Sequence, residues 1–165
     1  MKVDRELEWQ AINKVCRSLK ELAIRNKLTP LNTVVAMVSP DYSGTVAMHV
    51  AHYLSEDGEM LDIIPVEIPY PDEDSTEFQN TFINNVSNKF KKYKNVILVE
   101  AGVISGKTFQ FIYGNLKEHQ LEVFSAALFE NIHTVFYSDV VGFYYDWQKE
   151  PLEFYWERDN KHWKW

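Results

Sequence analysis

The run from Val96 to Phe109, VILVEAGVISGKTF, constrains this chain more than any other stretch. Val96–Val99 reads as a buried strand ending in one acid, Glu100. After a short loop, Ser105-Gly106-Lys107-Thr108 opens a helix predicted over 106–117. Small and hydroxyl residues at a helix start leave backbone N–H groups free, and the positive end of the helix dipole adds to them. Together they make a seat for a phosphate. Glu100, beside that seat, has the chemistry to hold sugar hydroxyls or a magnesium ion. One strand tip thus offers two halves of a phosphosugar site. Plainer roles stand beside these: Ser105 and Thr108 as ordinary helix caps, Lys107 as a solvated side chain, Glu100 as a structural carboxylate.

The rest of the chain supplies the setting. Residues 3–26 carry Leu7, Ala11, Val15, Leu19 and Leu22 at helical spacing. Thr33–Val38 is a β-branched apolar run suited to a strand buried on both faces. Ser39–Gly44, SPDYSG, reads as a turn cluster, and Thr45–Leu54 as a helix stopped by Asp57-Gly58. Leu61–Ile68 is a strand, Pro69–Thr76 an acidic loop and Glu77–Phe90 a candidate helix. Leu121–Phe129 and His133–Tyr137 read as further strands, and the tail from Val140 as aromatic and irregular. This alternation predicts an α/β fold, a mainly parallel sheet with helices on both faces, in one domain over 1–165. Ligands of such sheets sit at the carboxyl ends of strands. Ser39–Gly44 and Glu100–Thr108 both fall there.

With 165 residues, 45% of them apolar, the chain has enough material for one hydrophobic core. A formal charge of -7 argues against nonspecific binding to nucleic acid or to an anionic membrane. Cys16 is the single cysteine, so neither an intramolecular disulfide nor a thiolate cluster forms, and its helical pattern makes it a small core residue. No segment approaches a membrane span and no signal-like run opens the chain, so a cytoplasmic protein is expected. His49, His52, His119 and His133 read as packing or surface residues, and Asp139 and Asp146 as solvated loop acids.

Ser105-Gly106-Lys107-Thr108 does not meet the triphosphate P-loop pattern. That pattern needs four residues between its first glycine and the Gly-Lys pair, whereas three separate Gly102 from Gly106. The run instead resembles the phosphoribosyl pyrophosphate (PRPP) motif of type I phosphoribosyltransferases: an apolar strand, two acids, a short variable stretch, Thr or Ser, Gly, a variable residue and Thr. Phe154-Tyr155-Trp156-Glu157 is similar to the Phe-Pro-Trp-Glu ending of many 6-oxopurine phosphoribosyltransferases. The resemblance implies that fold, with a small hood made from the chain termini. It implies that Glu100 holds ribose or magnesium, and that Ile104, Ser105, Gly106, Lys107 and Thr108 hold the 5′-phosphate. Asp41, Tyr42, Ser43 and Gly44 would form the pyrophosphate loop, and Trp156 and Leu152 would wall the base.

The chain departs from the family at the reaction centre. Ala101 replaces the second acid, and Ile104 stands where many relatives carry an Asp. The first loop lacks the usual basic residue, and the stretch after Leu121 lacks the lysine that relatives aim at the base. The resemblance implies transfer of ribose 5-phosphate from PRPP to a nucleobase, a 6-oxopurine above others, with magnesium, as in purine salvage. PRPP or a nucleoside monophosphate, a nucleobase and a second copy in a homodimer are the implied partners. The departures support the alternative, a catalytically degenerate nucleotide- or PRPP-binding protein with a regulatory role. On either reading, Gly106→Val is expected to remove the phosphate seat and spare the fold.

Overall fold

The structure is a computed structural model that describes residues 1–66 and 88–155, with backbone alone at 40–42. The first long element, helix α1 (Arg5–Asn26), is started by Asp4, whose side chain accepts from the Leu7 amide at 2.9 Å. It ends at Lys27, a left-handed residue at φ 55°, and the Leu28 amide closes back on the Ala23 carbonyl at 3.0 Å. Its apolar stripe, Ala11, Val15, Cys16, Leu19 and Leu22, is buried as the spacing requires.

A five-stranded sheet of β2 (Thr33–Val38), β3 (Asp62–Val66), β4 (Asn95–Val103), β5 (Glu122–Asn131) and β6 (Val140–Tyr145) runs in the order β3-β2-β4-β5-β6. Every pairing in it is parallel. Helices α1 and α2 (Pro40–Tyr53) cover one face, through Val15, Leu19, Ala47 and Val50 on Val35, Ile97 and Val99. Helix α3 (Lys107–Glu118) covers the other, through Phe109, Ile112 and Leu116 on Val96, Leu98 and Ala127. Burial on both sides is why β2 and β4 read as unbroken apolar runs. The two ends of the chain meet in a small parallel pair, β1 (Lys2–Val3) with β7 (Glu153–Phe154).

The architecture expected from the sequence is present, with three local corrections. First, Ser39–Gly44 is not a turn: α2 starts at Pro40, directly after β2. Proline at the first helical position has no N–H to lose and brings a φ already suited to the helix, so turn composition and helix start coincide here. Second, His133–Tyr137 forms no strand. Its backbone turns across the end of β4 instead, where the Val135 amide donates to the Ser105 carbonyl at 2.9 Å. Third, the stretch after Val140 is a regular strand, β6, with Gly142 seated against the Leu128 carbonyl, where any Cβ would overlap. The loop joining β5 to β6 is fixed to the strands it connects. Asp139 accepts from the Ser125 amide and hydroxyl at 2.7 and 2.9 Å, and Glu130 Oε2 accepts from the Ser138 amide at 2.8 Å. The expected helix over 77–90 and the acidic loop before it lie almost wholly outside the described residues.

Candidate functional site

The carboxyl edge of the sheet carries two helix starts on neighbouring strands. β4 leads through residues 104–106 into α3, and β2 leads through Ser39 into α2. Both N-cap residues are left-handed, Gly106 at φ 77° and Ser39 at φ 50°, and neither makes a side-chain cap bond to its helix. First-turn N–H groups lack an intrahelical acceptor by construction, so an uncapped start is electropositive and ready for an anion.

The α3 start is held from behind. Asn131 Nδ2 donates to the Ile104 carbonyl at 3.0 Å, and the Val135 amide to the Ser105 carbonyl. Gly106 lies against Thr134 Oγ1, and a Cβ there would overlap that oxygen and press the Phe136 backbone. The carbonyls and the glycine therefore face the 131–136 shelf, while the side chains of Ile104, Ser105, Lys107 and Thr108 are exposed. Ser105 Oγ accepts weakly from the Lys107 amide at 3.4 Å. This shelf overturns the expectation for Gly106→Val. The glycine is needed for packing and for its positive φ, so valine there disturbs the fold as well as the seat.

The α2 start is wired inward. Ser43, fully buried in the first turn, donates from Oγ to Glu100 Oε1 at 2.6 Å. The Ala101 amide donates to the same Oε1 at 2.9 Å and to Ser43 Oγ at 3.2 Å. Glu100 is 7% exposed. Burial pushes its carboxyl up to about 7, against hydrogen bonding from Ser43, Ser39 and the amides of Ala101 and Gly102. Gly44 has room for a side chain, its nearest neighbour being Met37 Sδ at 3.9 Å from a built Cβ. Asp41 and Tyr42 belong to the first turn, so the segment expected as a pyrophosphate loop is a helix start.

The structure brings the residues of the two starts to one edge of the sheet. Leu152 packs on Gly102, next to Ala101, where its Cδ2 would lie 2.9 Å from a Cβ, and Phe154 lies beside it. Trp156 is outside the described residues. Cys16 is buried, and its thiol is raised to about 11 by that burial. His49 packs edge-on to Trp9 at 4.7 Å, and Asp146 pairs with Lys149 and His133 at 3.1 and 3.4 Å. Among the described residues no group of three or more His, Cys, Asp or Glu converges on a metal site, and no helix is long and apolar enough to cross a membrane.

Sequence reasoning missed the shelf of Asn131, Thr134 and Ser138 and the fully buried Glu130. Oε1 of Glu130 and Oγ of Ser138 have no hydrogen-bond partner. The one available signal was the acid–amide pair Glu130-Asn131 closing an apolar run.

The fold has counterparts in solved structures. The chain is similar to a purine phosphoribosyltransferase from Pyrococcus horikoshii, with a TM-score of 0.62, 16% identity, and 94% of this chain and 93% of that chain covered. It is similar to the xanthine-guanine-hypoxanthine phosphoribosyltransferase of Helicobacter pylori at TM-score 0.62 and 15% identity, covering 97% and 95%. The hypoxanthine-guanine enzyme of Leishmania tarentolae, in complex with GMP, matches at TM-score 0.59 and 16% identity over 84% and 76%. No sequence-family model matches the chain, and no curated protein sequence does so. At these identities the likeness is one of architecture: the chain has the fold of the type I phosphoribosyltransferases, as its strand-tip motif led us to expect.

Proposed function

We propose that this protein binds a 5′-phosphorylated ribose on the α3 start and acts as a phosphoribosyltransferase, moving ribose 5-phosphate from PRPP to a nucleobase. The observation that carries the reading is the pair of uncapped, left-handed helix starts at adjacent strand ends. The first-turn amides of α3 and the hydroxyls of Ser105 and Thr108 take the 5′-phosphate. The amides opening α2, those of Asp41 and Tyr42, take the pyrophosphate, the Ser43 amide being bonded to the Ser39 carbonyl at 3.0 Å. Leu152 on Gly102 forms part of the wall for the base, with Trp156 assigned to that wall by resemblance.

Transfer breaks the bond from C1′ to the pyrophosphate oxygen and forms one from C1′ to a base nitrogen. The base proton leaves to solvent or to pyrophosphate, because Ile104 has no group to receive it. The chain's contribution is then positioning and stabilisation of the leaving anion by the α2 dipole. A 6-oxopurine acceptor, a homodimer and magnesium are finer parts of the reading and rest on resemblance. For magnesium the residues do not fit: Glu100 spends Oε1 on Ser43 and Ala101, and the second acid is a methyl group. No step is therefore routed through a protein-held ion.

A second reading, a nucleotide- or PRPP-binding protein without transfer, is favoured by that same buried acid and by Ile104, which is 42% exposed beside the seat. Incubation with PRPP and a panel of hypoxanthine, guanine, xanthine, adenine and uracil separates the two, with pyrophosphate release as the readout. Release dependent on a 6-oxopurine supports the enzyme. Calorimetric binding of PRPP or a nucleoside monophosphate without release supports the binder, and no binding at all contradicts both.

A further inference from the structure

We propose that Glu100 is a positioning residue. It acts through Ser43 to fix the first turn of α2 against the tip of β4, and it contacts neither ribose nor metal. The ligand in this inference rests on the phosphosugar reading; the strut itself rests on geometry alone. The last rung that ties β2 to β4 is Met37 with Val99. β2 ends at Val38, whereas β4 continues beside β5 to Val103. Past that rung the sheet no longer sets the distance between the two helix starts.

The Ser43–Glu100 hydrogen bond falls at this point, joining residues 57 apart in sequence, with Ser43 fully buried and Glu100 nearly so. The Ala101 amide locks both oxygens from the strand side, donating to Glu100 Oε1 and to Ser43 Oγ. A carboxylate oxygen holding two internal donors in a nearly dry position is satisfied in place, and drawing it out to a ligand leaves the Ser43 hydroxyl without its acceptor and the Ala101 amide with only its longer bond to Ser43 Oγ. The Ser39 hydroxyl does not cap α2. Ligand binding on this account is insensitive to magnesium.

The test uses the full chain with Ser43→Ala, Glu100→Gln and the double variant. If Glu100 works through Ser43, the double variant loses little more stability than the worse single one. Amide hydrogen exchange in the first turn of α2 then changes in the same direction in all three. Affinity is measured for ribose 5-phosphate and for 2,3-dideoxyribose 5-phosphate, with magnesium and with EDTA. In each single variant both probes weaken by one and the same factor, on the order of 5- to 30-fold in Ser43→Ala, which loses the hydrogen bond outright, and less in Glu100→Gln, whose amide oxygen still accepts. The wild-type affinities shift less than about twofold between magnesium and EDTA.

The proposal is overturned if Ser43→Ala binds normally while Glu100→Gln weakens only the probe that carries hydroxyls. It is equally overturned if Glu100→Gln removes a magnesium dependence present in the wild type. Should Glu100→Gln not fold, Ser43→Ala alone decides: equal weakening of both probes supports the strut, and unchanged binding rejects it. Should the wild type bind neither probe, the phosphosugar reading falls. The strut is then judged on the stability cycle, where additive losses overturn it and coupled losses keep it.

Discussion

The α3 start and the α2 start sit on adjacent strands and share a left-handed cap, yet they are built in opposite ways. At α3 the backbone carbonyls and the glycine are pinned from behind by residues 131–136, and the polar side chains are left outside. At α2 the Ser43 side chain turns inward and is spent on Glu100. One start leaves its polar side chains outside and is backed by a shelf; the other turns Ser43 inward and is backed by a strut. An anion site needs free amides held rigidly, and the two starts reach that state with different residues exposed. Their vulnerabilities differ accordingly.

The largest expected effect breaks the α3 side. Gly106→Val places a β-branched side chain at φ 77° against Thr134 and Phe136. We expect a loss of roughly 3 kcal/mol or more in urea unfolding, whereas Gly44→Ala, at a helical position with open space, stabilises by up to about 1 kcal/mol. Equal costs at the two glycines contradict the shelf.

Next comes the α2 side, through pH. Glu100 has its carboxyl raised to about 7 from 4.5, so the folded chain holds that proton more tightly than the unfolded chain. The contribution is complete below the unfolded value and is lost as pH rises through about 7. It is worth up to about 3 kcal/mol. Stability is expected to fall between pH 5 and pH 8, and the fall to shrink in Glu100→Gln. The remainder belongs to Glu8, whose buried carboxyl is raised in the same direction. A flat profile, or one that Glu100→Gln leaves unchanged, counts against a buried acid at the strut.

A third test sharpens the contrast without harming the fold. Helix α3 has no acid in its first turn. Thr108→Asp is expected to stabilise the helix by about 0.3–1 kcal/mol through its dipole while weakening phosphate binding by roughly tenfold or more through like-charge repulsion. Thermal melts and calorimetry moving in opposite directions support the seat, and unchanged affinity removes it.

The smallest effect concerns the shelf. Glu130→Gln keeps an acceptor for the Ser138 amide, so stability is expected to stay within about 1 kcal/mol. Glu130→Leu orphans that amide and is expected to cost about 1–3 kcal/mol. Equal costs for both variants indicate a buried charge with a partner of its own.

These contrasts also mark where the sequence was legible. β2 and β4 announced themselves because a strand buried on both faces has no polar phase to confuse. α1 did so because its stripe keeps helical spacing over 22 residues. The α3 seat was readable because small residues at a helix start imply free amides directly. The α2 start was not, because Ser-Pro-Asp fits a turn as well as a cap followed by a first-position proline. His133–Tyr137 has strand-like residues, but its Val135 amide bonds to the Ser105 carbonyl before α3, a choice made by tertiary contact. β6 was hidden by aromatic side chains that looked irregular; in the fold Tyr145 joins the core that α1 covers, Phe143 packs against it, and Tyr144 stays exposed. The partner of Glu100 lay out of reach for a similar reason: a carboxylate at a strand tip turns to a ligand or to its own fold, and the deciding hydroxyl is 57 residues away.

The most direct measurement is a crystal of the full chain soaked in a nucleoside 5′-monophosphate. The account predicts phosphate density within hydrogen-bonding distance of the amides that open α3, between Ser105 and Thr108, with Ser43 still bonded to Glu100. A seat free of density at saturating nucleotide, or a nucleotide bound with its ribose on the Glu100 carboxylate, contradicts it.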